Sequence, residues 1–368
     1  MEPIVAKISQ NETNLTFTVE QINVSLANAI RRTILSDIPT VVFRTTPHDK
    51  NKSNIKTNTS RMNNEILKQR LACIPIHITD TRFPIENYIV NIKKQNNSDQ
   101  IEYVTTKDFQ IYDKITQNSI SEGERDKIFP PSVISGDYID FVRLRPNISD
   151  DINGEEIDMT CEFDIGTAKE DGAYNVVSTC SYGATQDLIK VNDEWTKKLS
   201  EYKKRGLTND DIKLEEANWR NLDAKRLIKS GSFDFIIESV GVFSNINIVY
   251  KACHILMNKF EKIIKFFEDD EDLIIPVTNI MDNCYDIILN NEDYTIGKSL
   301  EFILYNRHYS KTLNFCAFNK THPHDSFSNI RIAFINKTDI SEVLTYITGA
   351  CNDAIGIFKK LSKQFEEE

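Results

Sequence analysis

Two stretches of this chain, 270 positions apart, repeat one pattern of residues, and that repetition limits the fold more than any other feature. Ser25-Leu26-Ala27-Asn28-Ala29-Ile30 and Thr295-Ile296-Gly297-Lys298-Ser299-Leu300 each run hydroxyl, branched aliphatic, small, polar, small, aliphatic. An alternating strand pattern precedes both: Leu15, Phe17 and Val19 before the first, Ile287 and Leu289 before the second. Ser25 and Thr295 are predicted N-caps of the helices that follow. In the first helix Leu26, Ile30 and Ile34 form an i, i+4, i+8 stripe, and Asp37-Ile38-Pro39 ends it, because the residue before proline is pushed out of the helical region.

Each half also closes on a long amphipathic helix. Val249, Cys253, Leu256, Phe260, Ile263 and Phe267 stripe the first. Val343, Ile347, Cys351, Ala354, Phe358 and Leu361 stripe the second. Four helices with apolar stripes need surfaces to bury them. The economical solution is an α+β fold in which two like units, each of strands plus two helices, pack face to face as a covalently joined dimer. Its expected core is Leu26, Ile30, Ile34, Leu256, Phe260, Ile296, Leu300 and Phe358.

The rest of the chain sorts around those units. The first unit is expected to be discontinuous, residues 1–78 and 226–267, with a β-rich domain inserted over 79–225. The acidic run "EDDEDLIIP" at 268–276 reads as a linker, and 277–368 as the second unit. Within the insert, the charged stretch 186–218 reads as a partly helical surface insertion, which Trp195 and Trp219 would anchor to the β domain.

Composition narrows the chemistry. A formal net charge of −11 over 368 residues, with no basic cluster, disfavours direct binding of nucleic acid. Seven scattered cysteines without a CxxC pair read as reduced, core-filling thiols and argue against a cysteine zinc site. The opening "MEPIVAKISQNET" has neither a basic leader nor an apolar core, and no apolar run is long enough to span a bilayer. There is no glycine-rich phosphate loop and no Gly-X-Ser-X-Gly elbow. His322, His324 and Asp325 could be offered as metal ligands, but the HxH beside Pro323 lacks further ligands at regular spacing, so no metal is expected.

"VSLANAIRRTILSDIPTVVF" (24–43) resembles the assembly motif of the larger alpha-type subunit of multisubunit DNA-directed RNA polymerases. That family contains the bacterial alpha subunit, its archaeal counterpart and the third subunit of eukaryotic RNA polymerase II. "NTSRMNNEILKQRLACIPI" (58–76), "DMTCEFDIGTAKEDGAYNVVSTCSYG" (158–183) with its Gly-X-X-Lys-Glu stretch, and "FDFIIESVGVF" (233–243) are similar to later segments of the same subunit. "EDYTIGKSLEFILYN" (292–306) and "THPHDSFSNIRI" (321–332) resemble the small eleventh subunit and the archaeal equivalent of it. A third-plus-eleventh fusion resembles the arrangement in large eukaryotic DNA viruses, which implies the virion and the cytoplasmic virus factory, or else the nucleus, as its place. The cysteine-rich zinc loop and iron–sulfur domain of some relatives have no cysteines to build them at about 80–150.

The resemblance implies a non-catalytic platform that docks two large catalytic subunits and contacts small polymerase subunits. DNA and RNA would be met only through the complex, and no membrane is involved. No cofactor is expected in this chain, since the complex would use Mg in its large subunits. It also implies an outward-facing large-subunit interface at Asn28, Arg31, Arg32 and Arg70, where guanidinium forks suit carboxylates or carbonyls of a neighbour. Glu301 and Phe302 hold the places of Arg31 and Arg32 in the second half, so the halves could bind different large subunits. Two alternatives stay open: a free-standing dimerisation module outside any polymerase, and a metal-dependent hydrolase using His322, His324 and Asp325.

Overall fold

The computed structural model describes residues 1–11, 13–147, 149, 153–269, 273–277 and 281–366. Strands β1 (Ile4–Gln10) and β2 (Asn14–Glu20) lead into helix α1 (Val24–Ser36). There follow β3 (Thr40–Phe43), β4 (Ser53–Asn58), α2 (Asn64–Ala72), β5 (Tyr88–Gln95), β6 (Glu102–Thr105), β7 (Phe109–Asp113), α3 (Glu122–Ile128), β8 (Asp140–Leu144), β9 (Glu156–Cys161) and β10 (Phe163–Gly166). Next come β11 (Val177–Gln186), α4 (Leu188–Lys204), α5 (Asn209–Asn221), β12 (Ile228–Ser239) and α6 (Asn245–Asp269). The last part holds β13 (Ile274–Val277), β14 (Cys284–Asn290), α7 (Tyr294–His308), β15 (Leu313–Asn319), β16 (Phe327–Phe334) and α8 (Ile340–Ser362).

These elements fall into two compact units. The larger comprises Met1–Ile34, Thr179–Glu238 and Asn245–Glu368, the smaller Leu35–Ser178 and Ser239–Ser244. The insert thus begins at the last two residues of α1 and ends at the second residue of β11, whereas the sequence reading placed it at 79–225. Strand pairing is the reason. β3 pairs with β10 and β4 with β9, which draws residues 40–58 into the smaller unit. β11 instead lies beside β12, which keeps residues 179–238 in the larger one. The predicted linker is also shorter than read. Ile274–Val277 is strand β13, antiparallel to β14, while residues 270–272 of that segment lie outside the described residues.

The larger unit is a duplicated structure. Its first sheet runs β1-β2-β12-β11 and its second β13-β14-β16-β15, the same order with each strand replaced by its counterpart. Phe17 pairs with Phe235 across β2 and β12, their rings stacked at 5.0 Å, and Ile287 pairs with Ile330 at the matching place across β14 and β16. The turn from strand to helix carries a left-handed residue in both halves, Gln21 (φ 59°) and Asn291 (φ 57°), 270 positions apart like the motifs they precede.

The long helices supply the common core. Phe260 of α6 stacks on Phe358 of α8 with ring centroids 6.1 Å apart, and all eight residues named for the internal dimer core are buried. Burying a large apolar side chain stabilises by about 1.5–3 kcal/mol, so this seam dominates the joining of the halves.

The smaller unit has a core of its own around Phe43, Phe109, Phe129, Phe141 and Phe163. It is built on a sheet ordered β4-β9-β5-β7 and two two-stranded ribbons. Among the described residues no helix is long and apolar enough to cross a membrane.

Candidate assembly interface

Helix α1 begins two residues earlier than expected. The cap is Asn23, whose Oδ1 accepts the Ser25 N–H at 2.8 Å, rather than Ser25 itself. Asp293 does the same for α7, accepting the Thr295 N–H at 2.9 Å. Ser25 and Thr295 are inside their helices, and the side-chain oxygen two residues upstream satisfies the orphan donor.

From that start, Leu26, Ala27, Ala29, Ile30, Thr33 and Ile34 turn inward. Asn28, Arg31 and Arg32 are left half-buried on the remaining surface of the helix. The two arginines then diverge. Arg31 Nε donates to Asn28 Oδ1 at 3.0 Å, one turn back along α1. Its charge acts on Cys180 of β11, whose thiol burial raises to about 12 and Arg31 pulls slightly down. At the corresponding place in the second half, Cys316 of β15 is also raised by burial to about 12, and there Glu301 pushes it further up. Equivalent surface positions beside equivalent edge strands therefore carry opposite charges.

Arg32 does not face away from the chain as the sequence reading supposed. Its Nε donates to Thr295 Oγ1 at 2.8 Å and its Nη2 to Asp293 Oδ2 at 2.6 Å, so the fork grips the cap of α7 in the other half. The pair is about one-third exposed on each side. Beside it, Lys259 of α6 lies 3.8 Å from Glu292.

Arg70 departs from expectation in the same way. Within the smaller unit its Nε and Nη2 each donate at 2.7 Å to backbone carbonyls of β8, those of Phe141 and Asp140. A planar guanidinium matches two successive carbonyls well, and here it ties α2 to a strand.

Sequence reasoning missed a polar cluster in the smaller unit. The Arg44 side chain, only 9% exposed, reaches Glu170 Oε2 at 3.3 Å and Asp164 Oδ2 at 3.6 Å. Lys52 Nζ lies 2.6 Å from Asp164 Oδ1, and the Tyr174 hydroxyl donates to Asp164 Oδ2. Burial works to raise the Asp164 carboxyl, but hydrogen bonds from Lys52 and Tyr174 and the nearby cations outweigh it and hold it low. Gly166 is required here, because a Cβ would stand 2.7 Å from the Tyr174 ring. The signal was available: an arginine directly after an apolar strand, with acids on both sides of Gly-X-X-Lys-Glu, is a buried cation seeking partners.

One other expectation, that of the tryptophans, is redirected. Trp195 and Trp219 stack on each other at 5.6 Å and form, with Val191, Ile212 and Ala224, the private core of the α4–α5 hairpin, so they join two helices rather than anchoring them to a β domain. His322, His324 and Asp325 serve a local turn: the Asp325 carboxylate accepts the His322 N–H at 2.9 Å, and His322 Nδ1 accepts the His324 N–H at 3.2 Å.

Two like halves with one long insertion in the first is an arrangement that can be compared with known proteins. Residues 16–260 match the model of the RNA polymerase Rpb3/Rpb11 dimerisation domain. The chain belongs to that family. It is 24% identical to human DNA-directed RNA polymerases I and III subunit RPAC1, over 70% of this chain and 82% of that relative. To DNA-directed RNA polymerase subunit Rpo3 of Methanosphaera stadtmanae it is 24% identical, over 69% of this chain and 95% of the archaeal one. It is also similar to a much shorter protein, DNA-directed RNA polymerases I and III subunit RPAC2 of Danio rerio, at 31% identity over 24% of this chain and 79% of the relative. The family's fold and its polymerase-subunit relatives agree with the α+β dimerisation architecture described above.

Proposed function

We propose that this chain is a non-catalytic assembly platform of a multisubunit DNA-directed RNA polymerase, with third-subunit-type and eleventh-subunit-type halves joined in one polypeptide. The observation that carries the reading is the repeated sheet order, β1-β2-β12-β11 and β13-β14-β16-β15, interrupted by an inserted unit only in the first half. Similarity both to long relatives of the RPAC1 and Rpo3 kind and to the short RPAC2 supports it. The large catalytic subunits would bring Mg and the reaction; this chain would bring two pre-joined docking faces. Such a one-chain arrangement fits the viral setting implied by the sequence resemblance, in the virion and the cytoplasmic factory.

The docking faces carry opposite charges at one pair of equivalent positions, Arg31 on α1 and Glu301 on α7, the latter paired with Lys298. Opposite charges at matching sites discriminate between partners more than they strengthen either contact. In this reading the large-subunit contact on α1 falls to Asn28 and Arg31, half-buried and bonded only to each other among the contacts described above. Arg32 and Arg70 serve the chain's own structure.

The test is a gentle purification of the tagged chain from its native setting. Stoichiometric recovery with two very large chains and template-dependent RNA synthesis is the expected result, and Arg31→Glu should reduce capture of one large subunit while leaving the fold intact. Recovery of the wild-type chain without any large partner, at low and moderate salt alike, would overturn the reading.

A further inference from the structure

Among the described residues, polar contacts join the halves at two places: Glu2 and Val5 of the first half meet Lys360 and Gln364 of the second, and a clamp at the start of α7 has no counterpart at the start of α1. In a true twofold pair, the helix residue that grips the partner's cap would be the same in both halves. Here it is Arg32 in α1 and, 270 positions on, Phe302 in α7; the caps are Asn23 and Asp293. Arg32 meets a carboxylate and a hydroxyl at 2.6 and 2.8 Å. Lys259 of the first half approaches Glu292, at the position where the first half has Ile22. The first half thus supplies two cations, and the second two carboxylates, around the start of α7.

We infer that Arg32 and Lys259, with Asp293 and Glu292, specify which half pairs with which. Two first halves facing each other would set Arg32 against Asn23 and Lys259 against Ile22, cations without counter-charges. Two second halves would leave Asp293 facing Phe302, a carboxylate without a cation. Of the three possible pairings, only the unlike pair brings each of these four charges to its complement, and leaving a partly buried charge unpaired is the costlier outcome. The apolar seam of α6 and α8 supplies most of the attraction, but it is apolar on both sides and discriminates little. The clamp therefore favours pairing of a first half with a second half over pairing of two like halves from separate copies. This inference rests on the duplicated architecture and not on the polymerase reading.

The full chain carrying a protease site within residues 268–276 tests it. After folding, the site is cut and the association of the two pieces is followed by native mass spectrometry and by dilution. Uncharged or reversed clamps are compared with wild type. Arg32→Asp is expected to weaken the unlike pair about tenfold or more and to populate like pairs. The exchange Arg32→Asp with Asp293→Arg should return association to within about threefold of wild type. If Arg32→Asp does not fold, Arg32→Gln and Asp293→Asn complete the cycle: each alone should weaken pairing, and the double variant should be no weaker than either. Association unchanged by Arg32→Asp, or no recovery in the exchange, or strict additivity in the cycle, would overturn the inference. None of those failures touches the assembly reading, which is tested at Arg31 in the uncut chain.

Discussion

The first half of the larger unit passes from α1 to its edge strand by way of Leu35–Ser178, nearly all of a second unit, whereas the second half passes from α7 to β15 through residues 309–312. The main frame of the two halves corresponds: sheet order, side-chain cap, left-handed residue, and a long closing helix. The contrast shows where this fold tolerates growth. β11 and β15 are edge strands, so a chain that leaves before them and comes back later breaks no interior ladder. Conversely, the strand-to-helix turn is where the halves agree most closely, because the left-handed residue and the cap two positions later set the direction of the helix.

The seam between α6 and α8 gives the largest effect. Phe260 and Phe358 are both fully buried and stacked on each other. Truncating either to alanine is expected to cost about 3–5 kcal/mol in chemical denaturation. The two losses should be alike, and the double variant should lose less than their sum. Unequal losses, with one variant nearly silent, would show that the halves do not share this core equally.

A smaller effect separates the first helices. Gly297 and Ala27 occupy the same place, yet a Cβ on Gly297 would stand 2.0 Å from the Phe318 ring, while Ala27 already carries one and is buried. Gly297→Ala should therefore destabilise by about 1–3 kcal/mol despite its better helix propensity. Ala27→Gly should cost about 1 kcal/mol. A neutral Gly297→Ala in thermal unfolding would mean that the second half has slack the first lacks.

The α4–α5 hairpin has no counterpart in the second half, and its core is private. Trp219→Ala should remove a near-ultraviolet signal from the stacked indoles and raise hydrogen exchange across residues 188–221. It should leave exchange in α6 and α8 unchanged, since local units open independently of the main core. Protection lost throughout the larger unit would show that the hairpin is integral to it.

Legibility followed the range of the interactions. The strands and helices of both halves and the eight core residues were readable because apolar periodicity reports burial directly. The insert boundaries were not, since whether β3 and β4 belong with β10 and β9 is decided by pairing across more than a hundred residues. The arginines were half readable. Spacing correctly left Arg31 and Arg32 off the apolar stripe, but it cannot say that the acceptor for Arg32 lies in the other half. Asn23 and Ser25 are both good caps by residue type, and only backbone geometry chooses between them.

The finest comparison uses the thiols of the two edge strands. Burial raises both Cys180 and Cys316 to about 12, with Arg31 opposing the shift at the first and Glu301 adding to it at the second. A folded-state value above the unfolded value of about 8.5 means that each thiol favours the fold below that pH, and the contribution is lost as pH rises toward 12. Pulse alkylation read by mass spectrometry between pH 8 and 10 should label exposed Cys73 first and these two slowly. Arg31→Glu should then slow Cys180 further and Glu301→Arg should speed Cys316, each by a few-fold, with the other cysteine unaffected. Opposite responses would establish that positions 31 and 301 are electrostatically equivalent sites carrying reversed charge. If neither rate moves, the correspondence of the halves ends at the backbone, and the difference between their faces must come from residues farther along α1 and α7.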